Sequence, residues 1–99
     1  HRYSRTESCW FDFTQSFTAC DEVILTDIYG AGETPIPGIS SEKLQKELKH
    51  GQSFYYPKGE NLSAQITKHL KKGDIFVTLG AGDGWKVGME VLNLLKNEN

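Results

Sequence analysis

The stretch Val23-Ile24-Leu25-Thr26-Asp27-Ile28 decides the fold, because five of its six residues are apolar or β-branched. A run of this kind is typical of a strand that is buried on both faces of a parallel sheet. Two later runs have the same character, one at Phe54-Tyr55-Tyr56 before Pro57 and one from Asp74 to Leu79. The sequence therefore predicts three strands, of which the last is the clearest.

Residues at helical spacing separate the predicted strands. Ser4 and Glu7 stand three residues apart, as in a capping box, and apolar residues then recur at steps of three and four as far as Cys20. Ser40 and Asn61 are expected to cap the next two helices at their N-termini. The glycines predicted to end these two helices are Gly51 and Gly73, and the last helix follows Gly84 with an inward face of Val87, Val91, Leu94 and Leu95.

The predicted elements alternate along the chain in the order α-β-α-β-α-β-α. Alternation of this kind implies right-handed crossovers, and hence an α/β fold in which a parallel sheet carries helices on both faces. An α/β domain normally opens with a strand, whereas this sequence opens on a polar, helical segment. We therefore expect residues 1–99 to form a single domain that is truncated at its amino-terminal side and lacks its first strand.

Charge and hydropathy exclude several classes of protein. Eleven basic and thirteen acidic residues give a formal charge of −2, whereas a nucleic-acid-binding protein usually carries a clear basic excess. No apolar run is long enough for a membrane span or for a secretory signal. We therefore expect neither a nucleic acid nor a membrane among the partners of this chain.

The chain has two cysteines, Cys9 and Cys20. If both lay on one helix, they would be about 16 Å apart, which is too far for a disulfide bond. Two cysteines are also too few for a structural zinc site, so no metal site is expected. Unpaired thiols are typical of a reducing compartment, which predicts a cytoplasmic location, and we interpret both thiols as small core residues.

The candidate site lies where the predicted strands end, because open parallel sheets bind their ligands at the carboxyl ends of the strands. Arg2 and Arg5 carry guanidinium groups that suit bidentate binding of a carboxylate or a phosphate, although a solvated chain end could carry the same residues. Asp27, Tyr29 and Glu33 lie on the longest loop, which is either a functional loop or an ordinary polar turn. The segments expected to converge at the site are residues 1–5, 27–39, 56–58 and 80–84.

The glycine-rich run Gly80-Ala81-Gly82-Asp83-Gly84 precedes the last predicted helix. A dinucleotide-binding motif would need a third glycine where Trp85 stands, and a phosphate-binding loop would need Ser or Thr where Val87 stands. The glycines therefore indicate either close approach of the backbone to a ligand or tight packing of helix and strand. No side chains are spaced as a nucleophile with its general base, so no catalytic residue is predicted.

Three stretches together resemble one protein family. They are residues 1–6 (His-Arg-Tyr-Ser-Arg-Thr), residues 27–38 (Asp-Ile-Tyr-Gly-Ala-Gly-Glu-Thr-Pro-Ile-Pro-Gly) and residues 80–83 (Gly-Ala-Gly-Asp). In this order and spacing they are similar to the carboxyl-terminal domain of the alanine-adding Mur ligases, which act in bacterial cell-wall synthesis. The resemblance covers nearly the whole chain and implies a Rossmann-like domain.

The resemblance implies an ATP-dependent ligase that joins L-alanine to UDP-N-acetylmuramate during the synthesis of peptidoglycan precursors. This domain would close over the enzyme's own central domain, and the amino-terminal domain would hold the UDP sugar. ATP and Mg²⁺ would be bound mainly outside this segment, so the 99 residues alone are expected to be inactive. Matched residue by residue, the resemblance places His1, Arg2 and Arg5 on the L-alanine side. The long loop that carries Asp27, Tyr29 and Glu33 is the possible domain-closure or ligand loop.

Two alternatives stay open at this point. A related ligase attaches a whole peptide to the muramyl sugar and shares this domain type, although residues 1–6 favour the alanine-adding branch. The other alternative is a stand-alone α/β binding or regulatory module without catalysis. The acidic pair that a receiver-like module would carry after its first strand is missing from this sequence.

Overall fold

The computed structural model describes residues 2–80 and 84–97, which divide into two compact units between Pro57 and Lys58. The prediction of one domain over residues 1–99 stays a prediction. The first unit holds helices α1 (Tyr3–Ser8), α2 (Trp10–Gln15) and α3 (Ser41–Glu47) and strands β1 (Val23–Leu25) and β2 (Ser53–Tyr55). The second unit holds helices α4 (Leu62–Thr67) and α5 (Gly84–Asn97).

Strands β1 and β2 form a parallel sheet in which Val23 pairs with Ser53 and Leu25 pairs with Tyr55. Helix α3 connects the two strands along the chain and contacts both of them, as a crossover between parallel strands requires. The α/β class predicted from the sequence is thereby confirmed. The core of this unit is made by Val23, Leu44 and Leu48, with Trp10, Phe13, Phe17 and Leu25 packed against it.

The first helical segment differs from its prediction, because two short helices replace one long helix. Cys9 separates α1 from α2, and its ψ angle of 14° lies outside the helical range. The predicted capping box is wrong as well, since Arg2 occupies the N-cap position and Ser4 lies inside the helix. Ser4 bonds to the distant Glu33 rather than to its neighbour Glu7, so a long-range contact replaces the local one.

Helix α3 begins as predicted and ends earlier than predicted. The hydroxyl of Ser40 accepts a hydrogen bond from the backbone N–H of Lys43 at 3.1 Å, which confirms Ser40 as the N-cap. The helix ends at Glu47 rather than near Gly51. A tertiary contact explains the early end. The backbone leaves helical conformation at Leu48, and the N–H of Lys49 donates to the carbonyl of Thr14 in α2 at 2.9 Å.

The second unit consists of α4 packed against α5. Leu62 and Ile66 of α4 are buried, and Asn61 is the N-cap residue, although its side chain makes no capping hydrogen bond. Val91 of α5 is 1% exposed and is the most deeply buried side chain of the described residues. Leu94, which was predicted to face inward as well, is 36% exposed.

The third predicted strand, residues 74–79, is wrong for this structure. The segment has no strand conformation, and no strand among residues 2–80 and 84–97 pairs with it. Its apolar side chains are correspondingly exposed, as Ile75 (90%) and Leu79 (84%) illustrate. An apolar, β-branched run forms a strand only when a neighbouring strand accepts its backbone hydrogen bonds.

The two cysteines are both free thiols. Cys9 is half-buried, whereas Cys20 is exposed and lies 3.2 Å from the carbonyl oxygen of Phe17. The interpretation of both thiols as core residues is therefore wrong for Cys20. The short helices explain the error, because the chain has left helical conformation before it reaches Cys20.

Candidate functional site

The amino-terminal end of α1 and the loop of residues 27–39 lie together in the first unit. The backbone N–H of Arg2 donates to the carbonyl of Tyr29 at 2.6 Å. Both the backbone N–H and the hydroxyl of Ser4 donate to the carboxylate of Glu33, at 3.1 and 2.6 Å. Two of the segments expected to converge are therefore joined by three hydrogen bonds.

The conformation of the loop depends on its glycines. The N–H of Glu33 donates to the carbonyl of Gly30 at 3.0 Å, which closes a turn. Inside this turn, Ala31 and Gly32 have φ angles of 51° and 89°, in the left-handed region that glycine tolerates best. A Cβ atom at Gly30 would lie 3.0 Å from the ring of Tyr3, so a glycine here allows the loop to approach α1 closely.

The carboxylate of Glu33 is held in its ionised form. The side-chain hydrogen bond from Ser4 lowers the pKa of Glu33 most, and the backbone N–H of Ser4 lowers it further. The positive charge of Arg2 acts in the same direction. The loop therefore places a negative charge at the positive end of a short helix, where such a charge is stabilising.

The two predicted arginines are exposed. Among residues 2–80 and 84–97, no carboxylate forms an ion pair with the guanidinium of Arg2 or of Arg5. Arg2 also has a φ of 60°, which is a costly conformation for a residue other than glycine. Both guanidinium groups are thus able to take an external anion. His1, the third predicted residue of this group, lies outside the described residues.

A second contact fixes the start of the same loop. The hydroxyl of Tyr55, at the end of β2, donates to the carboxylate of Asp27, two residues beyond the end of β1. This bond raises the pKa of Tyr55 to about 12, since it stabilises the protonated phenol. The N–H of Tyr56 also donates to the carbonyl of Leu25 at 3.0 Å, so the 56–58 segment joins the strand ends through its first residue.

Ser4 and Tyr55 are members of this site that no sequence pattern predicted. Their partners, Glu33 and Asp27, are 29 and 28 residues away along the chain, beyond the reach of any local spacing rule. The contact of Tyr55 could have been predicted from its place at the end of a strand, because the carboxyl ends of adjacent parallel strands lie side by side. No sequence feature predicted the contact of Ser4 with Glu33, since the spacing of Ser4 to Glu7 favoured a different partner.

The remaining predicted segment belongs to the second unit. Gly80, with a φ of 149°, precedes residues 81–83, which lie outside the described residues. Beyond them, the ammonium group of Lys86 lies 5.7 Å from the ring centroid of Trp85, which is 61% exposed. The meeting of this glycine-rich segment with α1 stays a prediction.

An open cleft of about 450 Å³ lies between α2 and α3. It contains none of the predicted site residues, and the Trp10 indole N–H at its edge already donates to the carboxylate of Glu47 at 3.2 Å. The cleft is lined by Trp10, Phe11, Thr14, Gln15, Lys46, Glu47, Leu48 and Lys49. Nothing in this set favours a particular chemistry.

The described part of the chain contains no group of three or more His, Cys, Asp or Glu residues that could hold a metal ion. Within the same residues, no helix is both long enough and apolar enough to cross a membrane. The charged groups on the two segments joined at this site are the guanidinium groups of Arg2 and Arg5 and the carboxylates of Asp27 and Glu33.

No family model matches the chain. UDP-N-acetylmuramate–L-alanine ligase of Bdellovibrio bacteriovorus is 59% identical over 95 residues, which cover 96% of this chain and 21% of that protein. The enzyme of the same name from Desulfosudis oleivorans is 44% identical, and the match covers 94% of this chain and 21% of that protein. The one from Protochlamydia amoebophila is 42% identical, and the match covers 98% of this chain and 22% of that protein. The chain thus spans about a fifth of the length of the curated relatives that it matches.

Proposed function

Because this chain is homologous over nearly its whole length to one segment of the UDP-N-acetylmuramate–L-alanine ligases, we propose that it brings L-alanine to the reaction centre of such a ligase. The complete enzyme would join L-alanine to UDP-N-acetylmuramate at the expense of ATP, in the synthesis of peptidoglycan precursors. The two cysteines of this chain are free thiols, which suits the reducing conditions of the cytoplasm.

The observation that carries the proposal is the pair of arginines at the start of α1. Arg2 and Arg5 are exposed and form no ion pair within the described residues. Arg2 is the N-cap residue of α1 and Arg5 lies within α1, whose first turn is hydrogen-bonded to the loop. A guanidinium group on a fixed backbone can bind a carboxylate through two parallel hydrogen bonds. The carboxylate of L-alanine is such an anion.

Holding the carboxylate leaves the amino group of L-alanine free to react. The resemblance to the Mur ligases implies that this amine attacks an acyl phosphate of the muramyl sugar, forms the amide bond and displaces phosphate. Fixing two reactants against each other can supply about 7–11 kcal/mol of barrier reduction. The contribution of this segment is therefore positioning and charge complementarity.

ATP and Mg²⁺ do not fit the residues described here. The described part of the chain holds no cluster of metal ligands, and the sequence has no phosphate-binding loop. As the resemblance to the Mur ligases implies, the nucleotide and its metal would be held mainly by the central domain of the ligase, with which this segment would interact. The 99 residues alone should release no phosphate from ATP above background at any concentration of the purified chain.

The test is steady-state kinetics of Arg2→Ala and Arg5→Ala in the full-length ligase, with each substrate varied in turn. Loss of a charged hydrogen-bonding partner costs roughly 1.5–3 kcal/mol, so KM for L-alanine should rise about ten- to a hundredfold. KM for ATP should change by less than about twofold, and Arg→Lys should restore the affinity only in part. Lys46→Ala, which removes an exposed cation of α3, is the matched control. A collapse of ATP affinity with unchanged L-alanine affinity would assign the arginines to the nucleotide instead.

A further inference from the structure

We propose that Glu33 is a positioning residue that holds the first turn of α1 through Ser4, so that Arg2 is presented to the carboxylate of the incoming amino acid. This inference rests on the proposed function of Arg2. It assigns Glu33 a role within the protein rather than direct contact with the substrate.

The geometry of the contact supports this role. One carboxylate accepts two hydrogen bonds from a single residue, the N–H of Ser4 at 3.1 Å and its hydroxyl at 2.6 Å. On either side of this contact, Arg2 bonds to the carbonyl of Tyr29, and the ring of Tyr3 lies against Gly30. The N-cap residue and the first two residues of α1 therefore all contact the loop.

The helix itself explains why an outside carboxylate is needed. α1 has six residues, which is too short to be stable without tertiary contacts. Its N-cap residue, Arg2, makes no side-chain capping bond, and the first turn contains no acidic residue. Glu33 supplies from the loop the acceptor that an N-cap Ser or Asp would otherwise provide. Without it, the N–H of Ser4 would lose its partner, and the first turn would loosen together with Arg2.

The same arrangement leaves Arg2 available for a ligand. Both carboxylate oxygens of Glu33 are used by Ser4, and no ion pair within 4.0 Å joins Glu33 to Arg2 among the described residues. The charge of Arg2 still lowers the pKa of Glu33, so the two groups are close enough to influence each other. Glu33 can thus fix the backbone that carries Arg2 while the guanidinium keeps its donors for a substrate.

The experiment is a double-mutant cycle in the full-length ligase, with Glu33→Ala, Arg2→Ala and the double variant. Glu33→Ala should raise KM for L-alanine by about tenfold, while kcat and KM for ATP stay within about twofold of wild type. Since Glu33 acts through Arg2, adding Glu33→Ala to Arg2→Ala should raise KM by less than about twofold more. Glu60→Ala, which removes an exposed carboxylate of the second unit, should change none of these values.

Two further variants keep the test decisive if Glu33→Ala folds poorly. Glu33→Gln retains an acceptor for the N–H of Ser4 and should keep KM for L-alanine within about threefold of wild type. Ser4→Ala removes the hydroxyl bond and keeps the N–H, so its KM should rise less than that of Glu33→Ala.

The possible failures are distinguishable. Additive effects of Glu33→Ala and Arg2→Ala would overturn the positioning role, because the two residues would then act independently. Equal losses for both substrates, in step with the folded fraction, would also overturn it in favour of a merely structural role. An unchanged KM for L-alanine in Arg2→Ala alone would instead refute the proposed function on which the inference rests.

Discussion

Strand β1 and the segment 74–79 have nearly the same sequence character and opposite environments. Residues 23–25 and residues 75–79 are both short runs of apolar and β-branched residues. Val23 of β1 is 6% exposed and its N–H donates to the carbonyl of Gln52, whereas Ile75 is 90% exposed and lies in a segment without strand conformation. The difference is the presence of a partner strand. The crossover through α3 places β2 beside β1, whereas no strand among the described residues pairs with residues 74–79.

Hydrogen exchange of the 99-residue chain should give the largest contrast between these two regions. The amides of Val23 and Tyr56 are bonded across the sheet and should exchange at least about a hundredfold more slowly than those of residues 75–79. Two-dimensional NMR after transfer to deuterated water measures both sets in one sample. Equal protection of the two regions would mean that residues 74–79 form a paired strand in solution.

Truncation of a side chain should show the same contrast in stability. Leu44→Ala removes a side chain that is 7% exposed and should lower the free energy of unfolding by about 2–5 kcal/mol. Leu79→Ala removes one that is 84% exposed and should change it by less than about 0.5 kcal/mol. Urea denaturation followed by circular dichroism provides both values. Comparable losses would show that Leu79 is buried in the folded chain.

The helix caps provide a smaller test of the same principle. A capping residue stabilises its helix only when its side chain forms the capping hydrogen bond. Ser40→Ala removes a capping hydrogen bond to Lys43 and should cost about 0.5–2 kcal/mol. Asn61 occupies the equivalent position of α4 and makes no such bond, so Asn61→Ala should cost less than about 0.5 kcal/mol. The order of the two denaturation midpoints is decisive, and a larger loss for Asn61→Ala would contradict the assignment of the caps.

These contrasts also explain how far the sequence determined the outcome. The cap at Ser40 and the β1-α3-β2 unit could be predicted because a serine and a periodic apolar pattern act over a few residues. The end of α3 could not be predicted from the sequence, since it depends on a backbone hydrogen bond from Lys49 to Thr14 of α2. The segments around Arg2 and Glu33 could be singled out from guanidinium chemistry and from loop length, and their role in binding stays a prediction. Their connection through Ser4 became visible only in three dimensions.

The smallest expected effects are those of pH. The pKa of Glu33 is lowered in the folded chain, so its contact with Ser4 adds stability above the ordinary carboxyl pKa and loses it as pH falls through the lowered value. The pKa of Tyr55 is raised from 10.0 to about 12, so its contact with Asp27 adds stability below pH 10 and loses it as pH rises through about 12. NMR titration should show Ser4→Ala raising the first pKa and Asp27→Asn lowering the second. A shift of either pKa in the opposite sense would contradict the assigned hydrogen bond.

The central claim, that Arg2 binds the carboxylate of L-alanine, is tested most directly by removing that carboxylate from the substrate. The full-length ligase should use L-alaninamide with a kcat/KM roughly ten- to a hundredfold below that of L-alanine, because the amide cannot pair with a guanidinium group. In Arg2→Ala this preference should shrink, and in the double variant Arg2→Ala/Arg5→Ala it should fall to within about threefold, since both groups that recognise the carboxylate are then gone. A preference that is as large in Arg2→Ala as in the wild type would contradict the claim.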